Sequence, residues 1–387
     1  MSDRKTVAIL GPSSRFLSGI SYYTTYLSNA LAEPYQVRAI LFRHMLPRRL
    51  FPGAARVGEN LATITYRDGV DVRECMDWYN PLTWYRAYRA ASVSEVCIFE
   101  WWTSSVAHMY LATGLLLRLR GIPIVLEFHE VVDTLEDAIF PLRVYSKVMG
   151  RLIRRLAGRY VTHSVSDQKL VAERYGIPVE KISVIPHGLY DQYPVLDRDT
   201  AKQHLAITAD HVILFFGLLR PYKGAANLVH AFEQLPKSLR DDTVLLIAGE
   251  PWEDAETLVA AESSPVRERI RLLSEYISDE EIPYLFSAAD LLALPYRRAS
   301  QSGVAHIGIS YGLPVVASKV GGLTESLGQY AGTSFLPPDD VGALTTALAD
   351  ILTHPHDPYP VPDALRWETI AETWEKFLAV TTGGDKP

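Results

Sequence analysis

The sequence predicts an α/β protein of two parallel-sheet domains, and three observations carry the prediction. Apolar runs rich in β-branched and aromatic residues alternate with helix-like stretches throughout, which implies right-handed crossovers and parallel strands. With 387 residues, 48% of them hydrophobic, the chain is long enough for two or three domains with sizeable cores. The net charge of −7 also divides unevenly, +6 up to Tyr190 and −13 after it, a contrast that supports two domains with different partners.

Taken in order, residues 6–10 read as the first strand and 20–32 as its helix. Further strands are read at 37–42, 62–66, 96–99, 124–127 and 160–165, and 182–185 closes a first domain spanning 1–188. A second domain, 189–365, takes strands at 212–216, 244–249, 270–273, 291–294, 315–317 and 333–336. The proline-rich stretch 355–362 must be loop, and 367–380 reads as a helix within a final segment, 366–387. The short apolar run at 7–10 is unlike a signal peptide, and no run is long enough to cross a bilayer. Cys75 and Cys97 are the only cysteines, and Cys97 lies inside a strand-like run, so a buried thiol is expected in a reduced, cytoplasmic protein.

Two loops carry the chemistry. The strand 212–216 ends at Gly217, and Arg220 and Lys223-Gly224 follow before a helix-like stretch begins at Ala225. A strand-to-helix loop bearing two cations is suited to an anion, since the helix end adds unpaired N–H groups and partial positive charge. A second loop of the same kind follows the strand 291–294: Ser300-Gln301-Ser302-Gly303-Val304 opens a helix that runs to Tyr311. Gly312 then stands at the C-cap, Pro314 lies just past it, and a strand begins at Val315. Small residues at a helix start let a diphosphate approach backbone N–H groups, so the pair of loops describes a nucleotide-diphosphate site.

With these motifs the chain resembles the retaining glycosyltransferases of family 4. The resemblance rests on Gly217, Arg220 and Lys223-Gly224, the serine/glycine-rich start of the next site helix, and Gly312-Leu313-Pro314-Val315-Val316-Ala317. Ile185-Pro186-His187-Gly188 and Trp367-Glu368 extend it over nearly the whole length. It implies the GT-B fold: two Rossmann-like domains facing across a cleft, the first holding the acceptor and the second the nucleotide sugar, with the last helix crossing back to the first. It also implies a nucleotide-diphosphate sugar donor, UDP- or GDP-linked, an acceptor hydroxyl on a glycan, a lipid-linked sugar or a small molecule, and no cofactor, metal or nucleic acid.

By the same resemblance Arg220, Lys223 and His129 are the catalytic candidates. Gly19 and Ile20 match the loop that contacts donor phosphates. Gly217, Gly249, Glu250, Ile277 and the stretch Ser300, Gln301, Ser302, Gly303 and Val304 would line the donor, with Glu325 as a carboxylate near the nucleotide. Arg and Lys would stabilise the leaving diphosphate, and the departing phosphate oxygen would take the acceptor proton with retention of configuration. Two departures stand out: Ala299 and Ile307 occupy the places of a glutamate pair, and Leu218 stands where many relatives have the arginine. A sugar-nucleotide epimerase and a non-catalytic nucleotide-sugar-binding subunit therefore remain as alternatives.

The basic charge concentrates in 143–159, with cations at helical spacing beside Val144, Val148, Leu152 and Leu156. One reading is an amphipathic helix on anionic lipid; the other is a helix packed on its own sheet with a solvated outer face. A second basic cluster at 43–51 adds to the expectation of an anionic or membrane-held acceptor, at the inner face of the membrane.

Overall fold

The computed structural model describes residues 4–16, 19–45, 64–132, 140–299, 301–354 and 356–383. The chain divides into two compact units, one made of residues up to Gly188 together with those from Ala364, the other of Leu189–Asp363.

The first unit is built on β1 (Thr6–Pro12), β2 (Gln36–His44), β3 (Asp71–Asp77), β4 (Val96–Trp101), β5 (Ile124–Phe128), β6 (Arg159–Thr162) and β7 (Ile182–Val184). These strands form one parallel sheet in the order β3-β2-β1-β4-β5-β6-β7. Every residue of β4 and β5 is buried, which is why each opens as an apolar run rather than an alternating one, although each also buries a carboxylate near its end, Glu100 and Glu127. The accompanying helices are α1 (Gly19–Leu31), α2 (Pro81–Ala91), α3 (Ala107–Leu119), α4 (Phe140–Leu156) and α5 (Val165–Tyr175). Cys75 and Cys97 are free thiols, and burial pushes the Cys97 thiol up.

The second unit carries α6 (Arg198–His204), β8 (His211–Phe216), α7 (Ala225–Glu233), α8 (Lys237–Asp241), β9 (Thr243–Ala248), α9 (Ala255–Ser263) and β10 (Ile270–Leu273). Then come α10 (Ile282–Ala288), β11 (Leu291–Leu294), α11 (Gly303–Ser310), β12 (Val315–Ser318), α12 (Gly321–Leu327), β13 (Thr333–Leu336) and α13 (Val341–Thr353). Its six strands are parallel in the order β10-β9-β8-β11-β12-β13. That is the doubly wound order, and its direction reverses between β8 and β11, where an open sheet of this kind receives ligands.

The final helix, α14 (Trp367–Gly383), belongs to the first unit. Trp367, Ile370, Trp374 and Leu378 pack there with Tyr23 and Leu27 of α1 in one buried cluster.

Two strand expectations need correction. Of the strand expected at 62–66, residues 62 and 63 lie outside the described residues and 64–66 are not strand. The strand is β3, nine residues later, an edge strand whose half-exposed, charged sequence Asp-Val-Arg-Glu-Cys-Met-Asp lacks an apolar run. The strand expected at 160–165 stops at Thr162 because Ser164 caps α5, its hydroxyl accepting from the Asp167 N–H at 3.0 Å.

Candidate functional site

In the second unit the loops after β8 and β11 flank the reversal point, and both carry the residues singled out from sequence. Gly217 has φ +105°, a conformation that favours glycine, and a side chain there would press on its neighbours. A Cβ at Gly217 would lie 3.1 Å from Lys223 Nζ and 3.3 Å from Val304 Cγ2. Gly217, Lys223 and Val304 therefore meet, so the two loops touch. Gly249, at φ +150°, closes the same floor, and any side chain on it would run into the Gly217 carbonyl. Gly224 lets the first loop pass under the Pro295 carbonyl of the second.

The two cations are held by aromatic faces. The Arg220 guanidinium lies 5.3 Å from the Trp252 ring centre, and Lys223 Nζ lies 5.6 Å from that of Tyr296. Among the described residues neither has an acidic partner. Burial, with Arg220 beside it, pulls the Lys223 ammonium down to about 8. By accessible surface its whole side chain is only half-buried, so the effect is local to the ammonium end.

Ser302 caps α11, its hydroxyl accepting from the Ala305 N–H at 3.4 Å, and Gly303 faces the Tyr190 ring so closely that a side chain would not fit. Both amide atoms of Gln301 are buried without a hydrogen-bond partner. Ser300 lies outside the described residues. Ile277 and Glu250 are half-buried in loops after β10 and β9, and the Glu250 carbonyl accepts from the Leu219 N–H at 2.9 Å. Glu325 sits in the second turn of α12. Arg297, a third cation in these loops, is structural: it bonds Asp339 at 2.7 Å and the Pro221 carbonyl at 3.0 Å, tying the loops together.

In the first unit Gly19 and Ile20 open α1, and His129 directly follows β5. His129 does not stand alone. Successive strands β5, β6 and β7 are followed by His129, His163 and His187, and all three rings surround Tyr23, with centre separations of 4.6, 5.2 and 4.6 Å. The Tyr23 hydroxyl donates to Glu127 Oε1 at 2.5 Å, and the Thr24 hydroxyl donates to Glu100 Oε2 at 2.6 Å. Burial pushes Glu127 up to about 8 and Glu100 well above the carboxylate range. It also pulls His163 down to about 4 and His129 well below the histidine range.

Sequence reasoning singled out His129 and missed Glu100, Tyr23, His163, Trp252 and Tyr296. The signal for His163 was present: a histidine recurs just beyond consecutive parallel strands. Trp252 and Tyr296 gave none, because an aromatic in a loop reads as ordinary packing.

Residues 197–372 match the family described as glycosyl transferases group 1, and residues 17–192 match glycosyltransferase family 4. The D-inositol 3-phosphate glycosyltransferase of Xylanimonas cellulosilytica is 29% identical over 255 residues, which are 61% of this chain and 58% of that protein. The chain thus spans less than two thirds of that relative's length. The 2-deoxystreptamine glucosyltransferase of Streptomyces kanamyceticus is 25% identical over 302 residues, covering 73% of this chain and 76% of that protein. Among solved structures, Anabaena HepE in complex with UDP and glucose superposes with a TM-score of 0.69 at 15% identity, over 97% of this chain and 100% of that one, a likeness of fold. Two consecutive family matches over most of the sequence, on this fold, show that the chain belongs to glycosyltransferase family 4.

Proposed function

We propose that the protein is a retaining glycosyltransferase that moves a sugar from a nucleotide diphosphate to an acceptor hydroxyl. The observation that carries this is the pair Arg220 and Lys223, two cations held side by side at the reversal point of the sheet with no acidic partner among the described residues. Like charges in a half-buried place cost free energy, and a diphosphate leaving group removes that cost as its charge grows. The relative whose structure was solved with UDP supports a nucleoside diphosphate as the occupant. The aromatic faces of Trp252 and Tyr296 keep both cations in position before the donor arrives.

A thermal-shift screen against UDP- and GDP-sugars tests this reading. The true donor raises the melting temperature by mass action, and Lys223→Ala removes the shift. The pH dependence has a definite sign. An unfolded lysine keeps its proton to about 10.5, whereas folded Lys223 releases it near 8. Between those values the unfolded chain binds more protons, so the stability of the empty protein rises with pH and charged Lys223 costs stability below about 8. Donor binding needs that charge, so the donor-induced shift should shrink as pH climbs past 8 in wild type and hold steady in Lys223→Arg. A shift that is flat with pH in wild type contradicts the assignment.

The acceptor reading rests on the first unit. On α4, Ser146, Gly150, Ile153 and Leu156 are buried, yet Phe140, Val144 and Val148 are 72, 43 and 52% exposed beside Arg143, Lys147, Arg151 and Arg155. Ile153 and Leu156 pack in the core, whereas Phe140, Val144 and Val148 face outward beside the cations, and such a mixed apolar and basic surface suits anionic lipid. A cavity of about 410 Å³ alongside, lined by Trp101, Lys147, Arg151, Arg154 and Arg174 among others, suits an anionic group on the acceptor. Surface cations near anionic lipid contribute about 1 kcal/mol each, so binding to anionic vesicles should exceed that to neutral ones and fade with salt. Reversing Arg151 and Arg155 together should reduce sedimentation with anionic vesicles and leave the donor shift unchanged. Equal sedimentation with neutral vesicles would leave a soluble acceptor.

A further inference from the structure

We propose that Glu127, His129 and His163 form a binding site for one divalent transition-metal ion of the zinc class, a structural ion within the first unit. One potential ligand atom from each residue lies within 4.8 Å of the others. Glu127 Oε2, His129 Nε2 and His163 Nε2 are all buried without a hydrogen-bond partner. The residues themselves are 0, 8 and 5% exposed. His129 Nε2 stands 3.9 Å from Glu127 Oε2, and His163 Nε2 stands 3.7 Å from Glu127 Oε1. Those separations are too long for hydrogen bonds and close to the roughly 3.4 Å between neighbouring ligands that each lie about 2.0–2.1 Å from a tetrahedral ion.

The surroundings orient the ligands. His163 Nδ1 faces the Ile185 carbonyl at 3.0 Å, so that nitrogen carries the proton and Nε2 presents its lone pair to the site. The Tyr23 hydroxyl fixes the Glu127 carboxylate from the other side. Glu127 comes from β5, and the two histidines directly follow β5 and β6, so the donors stand on rigid, adjacent elements. Charge points the same way. Glu100 is the register partner of Glu127 on the neighbouring strand, and both are fully buried. An ionised carboxylate in such an apolar interior is costly, and a divalent cation bound to Glu127 would balance its charge. Two imidazoles with one carboxylate select zinc-like ions over magnesium, which prefers oxygen ligands throughout. With His129 Nε2 on the ion, the contact to the donor sugar expected of that residue falls to other groups.

Equilibrium dialysis of the full chain against ZnCl₂, with MgCl₂ as control and bound metal measured by mass spectrometry, tests the site. About one zinc and no magnesium should be retained per chain, with zinc alone raising the melting temperature. Glu127→Gln and His163→Ala should each lower zinc retention at least tenfold, and Tyr23→Phe should weaken binding roughly tenfold by freeing the carboxylate. Cobalt(II) should give the visible bands of a tetrahedral centre in wild type and not in Glu127→Gln. Should both ligand variants fail to fold, the zinc-specific retention and melting shift of the wild type still decide. Zinc retention no greater than magnesium retention overturns the proposal, as does full zinc occupancy in folded Glu127→Gln and His163→Ala.

Discussion

Lys223→Ala and Arg220→Ala are each expected to cut donor-dependent turnover at least ~10²-fold while leaving the protein folded, because each removes a preorganised donor from the place where the diphosphate gains charge. The fold should survive, since neither cation has, among the described residues, an acidic partner that its loss would leave stranded. Lys223→Ala should even raise the melting temperature of the empty protein below pH 8, where the charged ammonium sits against Arg220. Lys223→Arg should be only partly tolerated, because a planar fork cannot occupy the space of a compact ammonium between Gly217 and Val304. Steady-state rates with the donor from the thermal screen, alongside melting curves, measure both effects. Near-wild-type turnover in both alanine variants would remove the diphosphate site from this loop.

Trp374→Ala should destabilise the first unit by about 3–5 kcal/mol, the range for emptying a core position of that size. Trp374 of α14 is wholly buried, together with Tyr23, Leu27 and Ile370, so no solvent-filled space is ready to accept the change. By the usual conversion for a unit of this size the melting temperature falls by roughly 6–20 °C. Trp374→Phe should keep most of the stability, because a ring still fills the core, and calorimetry of the two variants measures the difference. If Trp374→Ala melts with the wild type, α14 is peripheral to the unit that the contacts assign it to.

Much of the architecture was legible because buried parallel strands leave an unambiguous trace. β1, β4, β5, β8, β9 and β11 are apolar runs that end at a glycine or a polar loop, and burial on both faces produces that pattern. β3 was not legible: as an edge strand it is half-solvated and charged, and its sequence resembles a surface loop. The two loops proposed to hold the diphosphate could be located because Gly217, Lys223 and Gly224 act locally, through backbone freedom and charge within one strand-to-helix turn. Which partners those groups would have was beyond reach. Trp252 under Arg220, Tyr296 under Lys223 and Arg297 bracing the two loops come from segments 32 to 76 residues away from their partners.

The cluster around Tyr23 shows the same division. The sequence alone determined that a histidine follows β5 and that the strands around it are buried. It could not determine that residues from α1, β4, β5 and the ends of β6 and β7 would meet, because that depends on strand order and register. Nor could it tell that α4 would turn Val144 and Val148 outward, since helical spacing defines faces without saying which one meets the sheet. Local chemistry is written in neighbouring residues; burial, and the charge states that burial imposes, arise only when distant segments exclude water together.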